Sequence, residues 1–232
     1  MNRRTMSAPS STLVVHHLND SRSQRILWLL EELDVPYELK KYQRMPDMTA
    51  PKELTAVHPL GYAPVITDGD ITLAESGAIV EYIINKYGGG KANLPEAGKI
   101  DDLYYAHYAE GSLMPMLVNK LVYNIVPQRS PFILRPLVKI VFSTLQTKML
   151  DPRLEKHAAF IEQHLSKDNR QWFAGGDGPT AADYQMSFPL ETWCHRFPEV
   201  LGPNTKEYVK RIHQRPAYKK ALEKGGKYTY AE

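Results

Sequence analysis

The spacing of apolar residues changes at a run of three glycines, Gly88-Gly89-Gly90, and that change limits the folds open to the chain. Before the glycines, short β-type runs alternate with helical ones. Leu13-Val14-Val15 is a β-rich run, and a helix opening at Ser21 places Ile26, Leu27, Leu29, Leu30 and Leu33 on its apolar face, with Glu31 and Glu32 outside. Asp34-Val35-Pro36 breaks that helix, and Tyr37 to Tyr42 alternates as a second strand. Met45 to Pro59 is polar, proline-punctuated and irregular or briefly helical. Pro64-Val65-Ile66-Thr67, a turn at Asp68-Gly69-Asp70, and Ile71-Thr72-Leu73 carry the signature of a hairpin. Ser76 to Tyr87 then predicts a helix that buries Ile79, Val80, Ile83 and Ile84 and stops at the glycines.

The resulting order, β-α-β-(α)-β-β-α, is the thioredoxin-like arrangement at the size of one compact domain. After the glycines, Lys99 to Val126, Leu137 to Leu165, Thr180 to His195, Thr205 to Gln214 and Pro216 to Lys224 all have helical spacing, with almost no strand signal. The expected fold is therefore an α/β thioredoxin-like N-terminal domain over residues 12–90 and an all-α C-terminal domain over 99–232. Thr180-Ala181-Ala182-Asp183 has the hydroxyl-x-x-carboxylate form of a capping box and is assigned to stability.

Charge and cysteine content narrow the function classes. With 29 basic and 26 acidic residues and no long basic run, the chain does not read as a nucleic-acid binder. Its one cysteine, Cys194, permits no intrachain disulfide and no Cys-x-x-Cys redox pair, which suits a reducing compartment. Cys194 lies in the helical run Glu191-Thr192-Trp193-Cys194-His195 and reads as an inert core residue; with His195 it makes two ligands, too few for a metal site. No metal is expected. The polar stretch Met1 to Ser11 lacks the apolar core of a secretory signal and reads as a frayed tail. The most apolar window, Phe132 to Leu145, is short and contains Arg135 and Lys139, so no membrane span is expected and the cytoplasm is the expected location.

Three local motifs carry the chemistry. His16 to Arg25 (HHLNDSRSQR) leads straight into the first helix. His58-Pro59-Leu60-Gly61-Tyr62-Ala63-Pro64-Val65 sets a proline, which cannot donate to a sheet ladder, at the mouth of an apolar run. Leu73-Ala74-Glu75-Ser76-Gly77-Ala78-Ile79 puts a carboxylate and a hydroxyl at a helix start. In this order and spacing the motifs resemble those of the cytosolic glutathione transferases, over nearly the whole chain from about Thr12 to about Lys224. The Ser-Arg-Ser-x-Arg start is most similar to a serine-type subgroup of fungi and bacteria.

The resemblance implies a site for glutathione as co-substrate. Ala63 and Pro64 would form a cis bond that turns the main chain of Val65 towards the cysteinyl backbone of glutathione, a one-residue case of strand addition. Glu75 would meet the γ-glutamyl ammonium, and Ser76, at a helix N-terminus, its carboxylate. His58 would reach the glycyl carboxylate or the cysteinyl region, or else serve only as a surface-loop histidine. Ser21, beside the positive end of the first helix, is the candidate that donates a hydrogen bond to sulfur and lowers its pKa. An ungapped reading against several subgroups puts their active residue at Asp20 and the tyrosine-type position near His16. A carboxylate would repel a thiolate, so Ser21 makes better chemical sense, with Asn19 and Ser23 in reserve. Ser21 as a mere helix cap remains the competing reading.

The acceptor site would be lined by Tyr104, Tyr108, Ser112 and Pro115, with the apolar stretch Phe132 to Phe142 as a possible cover. The expected activity is conjugation of the glutathione thiolate to small hydrophobic electrophiles, or reduction of organic hydroperoxides, by a detoxifying homodimer. The alternatives are a non-catalytic module that keeps the fold, and a glutathione-dependent isomerase or dehalogenase.

Overall fold

The computed structural model of the protein describes residues 12–91 and 94–231; the polar stretch Met1 to Ser11 lies outside them. Two compact units form. The first reaches residue 92 and takes in Gln214–Glu232; the second spans 93 to His213.

The first unit is built on strands β1 (Val14–Leu18), β2 (Glu38–Tyr42), β3 (Val65–Asp68) and β4 (Ile71–Ala74), in the spatial order β2-β1-β3-β4. β1 pairs parallel with β2, β3 antiparallel with β1, and β4 antiparallel with β3. The β3–β4 hairpin turns at Gly69-Asp70, with Gly69 at φ 61°, the left-handed conformation such a turn asks of its first residue. Helices α1 (Gln24–Glu32) and α2 (Ser76–Tyr87) complete the expected β-α-β-β-β-α order, with a single 3₁₀ segment at Lys52–Ala56 in the polar stretch. At the far end of β3, buried Asp68 accepts from Tyr82 (2.7 Å), Tyr87 (2.5 Å) and Lys86 (2.6 Å), which fastens α2 to the hairpin.

α1 begins later than the sequence pattern predicts. Asp20 adopts a left-handed conformation (φ 48°), and Ser21 to Ser23 form a turn whose hydroxyls bond locally, so regular helix starts only at Gln24. Short hydroxyl side chains compete with the helix for backbone groups, and here they win. Glu31 and Glu32 are also not simply solvent-facing. Glu32 pairs with Arg215 and takes a hydrogen bond from Trp28 Nε1 (2.8 Å), while Glu31 pairs with Lys224 and accepts from the Tyr37 hydroxyl (2.7 Å).

The final helix, α9 in chain order (Pro216–Gly225), belongs by packing to this first unit. Tyr218 meets the Trp28 ring edge-on at 5.9 Å. Gly225 lies so close to α1 that a Cβ there would stand 3.0 Å from Leu27 Cδ1, so glycine permits the approach.

The second unit is helical: α3 (Lys99–Tyr108), α4 (Met114–Arg129), α5 (Arg135–Leu145), α6 (Asp151–Ser166), α7 (Ala181–Arg196) and α8 (Pro203–Gln214). α3 runs into α4, and α5 into α6, each through one π-helical turn, at Ala109–Leu113 and Gln146–Leu150. α7 is the spine, buried from Ala182 to Trp193. Its capping residue works as expected: Asp183 accepts from Thr180 N–H at 2.8 Å, Phe173 N–H at 3.0 Å and the Tyr208 hydroxyl at 2.8 Å. Burial pushes the Asp183 carboxyl up to about 6 even so.

Candidate functional site

Three segments of the first unit converge because of strand register. His16 on β1 stands opposite Val65 on β3, and Val65 stands opposite Ala74 on β4. Adjacent strands lie about 4.8 Å apart. Val65 is therefore one strand away from Ala74, the residue that precedes Glu75 and Ser76. β1 in turn delivers the chain through Leu18 to Ser21. The Ala63–Pro64 bond that introduces β3 is cis, as the resemblance implied.

The turn before α1 is a closed network of short side chains. The Ser21 hydroxyl lies 2.7 Å from the Leu18 carbonyl and 2.7 Å from Ser23 Oγ, and it accepts from Ser23 N–H at 3.2 Å. Ser23 Oγ is 2.8 Å from His17 Nδ1. All three residues are buried. Burial, helped by Lys41, lowers His17 to about 4, so the ring is neutral at pH 7 and adds no charge. Asp20 directs its carboxylate elsewhere: Oδ1 accepts from Thr229 N–H at 2.8 Å. Asn19 Oδ1 accepts from Arg44 N–H at 2.7 Å. The first turn of α1 holds no acidic residue and no side-chain cap, so its positive end is not neutralised from within the helix.

The start of α2 is likewise open. Glu75 is exposed and takes a left-handed φ of 68°, with no side-chain cap, and Ser76 is the first helical residue. A side chain to which the motif reading gave no role meets it there. Arg25, on α1 and only 1% exposed, donates from Nη1 to Ser76 Oγ at 2.9 Å. A buried guanidinium touching that hydroxyl adds to the helix dipole and makes the α2 start a site for a carboxylate. The signal in the sequence was a charged residue one turn before Leu29, on the apolar face of the helix, and in the structure α1 is buried all round from Gln24 to Leu30.

The other candidates belong to other elements. His58 is half-buried in the loop after the 3₁₀ segment, where its Nδ1 accepts from Leu60 N–H at 3.4 Å. In the second unit, Tyr104 is half-exposed and stacks on buried Tyr108 (5.7 Å between centroids), whose hydroxyl bonds His157 Nδ1. Ser112, within the π-helical turn between α3 and α4, and Pro115, just after it, are both exposed. Such turns are common at functional sites. Among the described residues, no group of three or more His, Cys, Asp or Glu side chains is placed to hold a metal. Burial raises the Cys194 thiol to about 11, as expected of an inert packing residue.

Comparison with known proteins agrees with this architecture. The family model for the glutathione S-transferase N-terminal domain matches residues 10–85, and a glutathione S-transferase C-terminal domain model matches residues 134–225. The chain is 34% identical to glutathione S-transferase 3 of Schizosaccharomyces pombe, covering 91% of this chain and 87% of that protein. It is 32% identical to glutathione S-transferase 1 of Saccharomyces cerevisiae, covering 94% and 97%. Among solved structures, a glutathione S-transferase from Actinobacillus pleuropneumoniae superposes with a TM-score of 0.72 at 29% identity, over 95% of each chain.

Proposed function

Because this chain belongs to the glutathione S-transferase family of enzymes, we propose that its first unit binds glutathione across the two open helix starts and ionises the thiol at α1. The observation that carries this reading is the contact of buried Arg25 with Ser76 at the uncapped start of α2. It fits the carboxylate of the γ-glutamyl end, and exposed Glu75 beside it suits the ammonium. Ala63, Pro64 and Val65 would hold the cysteinyl main chain, and His58 the glycyl end.

Ser21 is proposed as the donor to sulfur. In the free protein its hydroxyl bonds Leu18 and Ser23. A neutral hydrogen bond contributes about 1 kcal/mol net, whereas one to a charged group contributes about 1.5–3 kcal/mol. Rotation of the Ser21 hydroxyl from a carbonyl to a thiolate is therefore favourable once the anion is present. The open N-terminus of α1 acts in the same direction. Proximity and nucleophile activation then supply the catalysis, without a covalent enzyme intermediate.

The proposed substrates are small hydrophobic electrophiles, met by Tyr104, Tyr108, Ser112 and Pro115, with organic hydroperoxides as a second class. A cytoplasmic, detoxifying homodimer completes the proposal. Family likeness supports the dimer, and the single cysteine suits a reducing compartment. A second reading, a binding module without turnover, is favoured by the inward bonding of the Ser21 hydroxyl. Glutathione-affinity capture alongside turnover of an aromatic chloride and of a hydroperoxide separates the two. Capture with turnover supports the enzyme; capture alone supports the module.

A further inference from the structure

The ring of buried His17 decides where the hydroxyl hydrogens before α1 point. A serine hydroxyl donates once and accepts twice. Ser23 Oγ lies within reach of Leu18 N–H at 3.2 Å, the Leu18 carbonyl at 3.1 Å, Ser21 Oγ at 2.7 Å and His17 Nδ1 at 2.8 Å. Leu18 N–H can only donate, so it fills one acceptor position of Ser23 in every arrangement. The other acceptor position and the single Ser23 proton are left to the carbonyl, Ser21 and His17.

A neutral imidazole carries its proton on one nitrogen or the other, and the two tautomers act oppositely on Ser21. With the proton on Nε2, Nδ1 takes the Ser23 proton. The Leu18 carbonyl then depends on Ser21, at 2.7 Å, for its side-chain donor. Turning Ser21 towards a ligand strips that carbonyl of its partner and is disfavoured. With the proton on Nδ1, the ring donates to Ser23 Oγ and closes its second acceptor position. The Ser23 proton goes to the Leu18 carbonyl, and Ser21 finds no open acceptor on Ser23. Ser23 N–H still donates to Ser21 Oγ at 3.2 Å, so the oxygen stays in place while its hydrogen is released.

The far side of the ring accommodates this tautomer. Gln24 is 1% exposed and, among the described residues, neither end of its amide has a hydrogen-bond partner. His17 Nε2 and Gln24 Oε1 border the same spot beside Gly225, 3.4 and 3.1 Å from where a Cβ there would stand. A half-turn of the amide offers N–H in place of oxygen, so a polar group of either kind is at hand for Nε2. A thiolate that draws the Ser21 hydrogen therefore also favours the Nδ1 tautomer.

We propose that His17 is a positioning residue for the chemistry at sulfur: its ring, donating from Nδ1 to Ser23, frees the Ser21 hydroxyl to turn to the glutathione thiolate. This rests on the reading of Ser21 as the donor to sulfur and adds the residue that lets it act.

Ultraviolet titration of the glutathione complex tests the chain of contacts link by link. His17→Leu should raise the mercaptide midpoint by about half a unit, a roughly threefold loss of thiolate near neutral pH, with glutathione affinity within about twofold of wild type. The fall in kcat/KM should match near pH 7 and recover above the midpoint, a profile that lost packing alone does not produce. His17→Asn, whose amide N–H can stand in for Nδ1–H, should restore the midpoint, whereas His17→Gln should not. Ser23→Ala, a smaller change should the leucine variant fail to fold, should raise the midpoint likewise. In a Ser21→Ala background, His17→Leu should add nothing. Nitrogen NMR of ring-labelled histidine should show His17 protonated at Nδ1 in the complex. Protonation at Nε2 there would overturn the proposal, as would a further rise from His17→Leu when Ser21 is already alanine. A midpoint that moves with Ser21→Ala but with neither His17→Leu nor Ser23→Ala sinks this inference alone. One that ignores Ser21→Ala sinks the donor reading and this inference with it.

Discussion

The starts of α1 and α7 are both built from a hydroxyl residue at the end of a turn, and they resolve the same electrostatic problem in opposite ways. At α7, Asp183 sits inside the first turn, is fully buried and takes hydrogen bonds from Thr180, Phe173 and Tyr208. The donors and the dipole there are satisfied within the protein, so nothing remains for a ligand. At α1 there is no acid in the first turn, the nearest carboxylate, Asp20, is turned to Thr229, and the turn is bridged by neutral groups alone: the Ser21 and Ser23 hydroxyls, the His17 ring, and the Ser21 and Ser23 carbonyls that accept from Gln24 and Ile26 N–H. α2 shares this openness and adds Arg25. A sealed helix start stabilises a fold, whereas an open one keeps its field for an anion from outside.

The sharpest test of the sealed end is Asp183→Asn. An amide cannot accept from all four donors, the Thr180 N–H and hydroxyl, the Phe173 N–H and the Tyr208 hydroxyl, so a loss of about 3 kcal/mol in urea unfolding is expected. The Michaelis constant for glutathione should stay unchanged in the folded fraction. A stable Asp183→Asn protein would break the contrast.

Acid should separate the two units next. His17 is held at about 4 against an ordinary 6.5, so the unfolded chain binds the proton first, and stability falls as pH drops below 6.5 and levels near 4. Asp183 is raised to about 6 from 3.8, so the folded state binds the proton first, and its contribution to stability rises as pH falls below about 6 towards 3.8. Between pH 7 and 5, the His17 shift costs the first unit about 2 kcal/mol and the Asp183 shift returns about 1 kcal/mol to the second. His16 adds to the loss in the first unit, while lowered His157 and His164 offset the gain in the second. Hydrogen exchange corrected for intrinsic rate should therefore show β1 and α1 losing more protection than α7. Equal losses would remove the distinction.

Smaller effects probe the open ends. Ser76→Ala removes the hydroxyl that Arg25 touches and should raise the Michaelis constant for glutathione about tenfold, or about 1.4 kcal/mol, with kcat little changed. Ser21→Ala should raise the pKa of bound glutathione by about one unit and lower kcat/KM by up to about tenfold at neutral pH. Full activity in Ser21→Ala would move the donor role to another group at the turn.

Local chemistry made much of this legible in advance. The hairpin was written in Asp68-Gly69-Asp70, and the α7 cap in Thr180 and Asp183, because each depends on neighbours in the chain. The cis Ala63–Pro64 bond followed from likeness to a family, not from local propensity. What stayed hidden depended on partners far along the chain. Arg25 finds Ser76 51 positions away. Glu31 and Glu32, expected outside, are claimed by Lys224 and Arg215 near the C-terminus. The late start of α1 comes from Ser21 and Ser23 bonding the end of β1, which periodicity does not encode. For α5 the period was readable, but not which side would meet α4.

If the start of α1 acts as proposed, it favours the anionic sulfur of bound glutathione over the thiol. Ultraviolet difference titration of the saturated complex measures this directly through mercaptide absorbance. The expected midpoint lies at least about one unit below the 8.5 of a free cysteine thiol and moves upward in Ser21→Ala. A midpoint at the free value in the wild-type complex would contradict it.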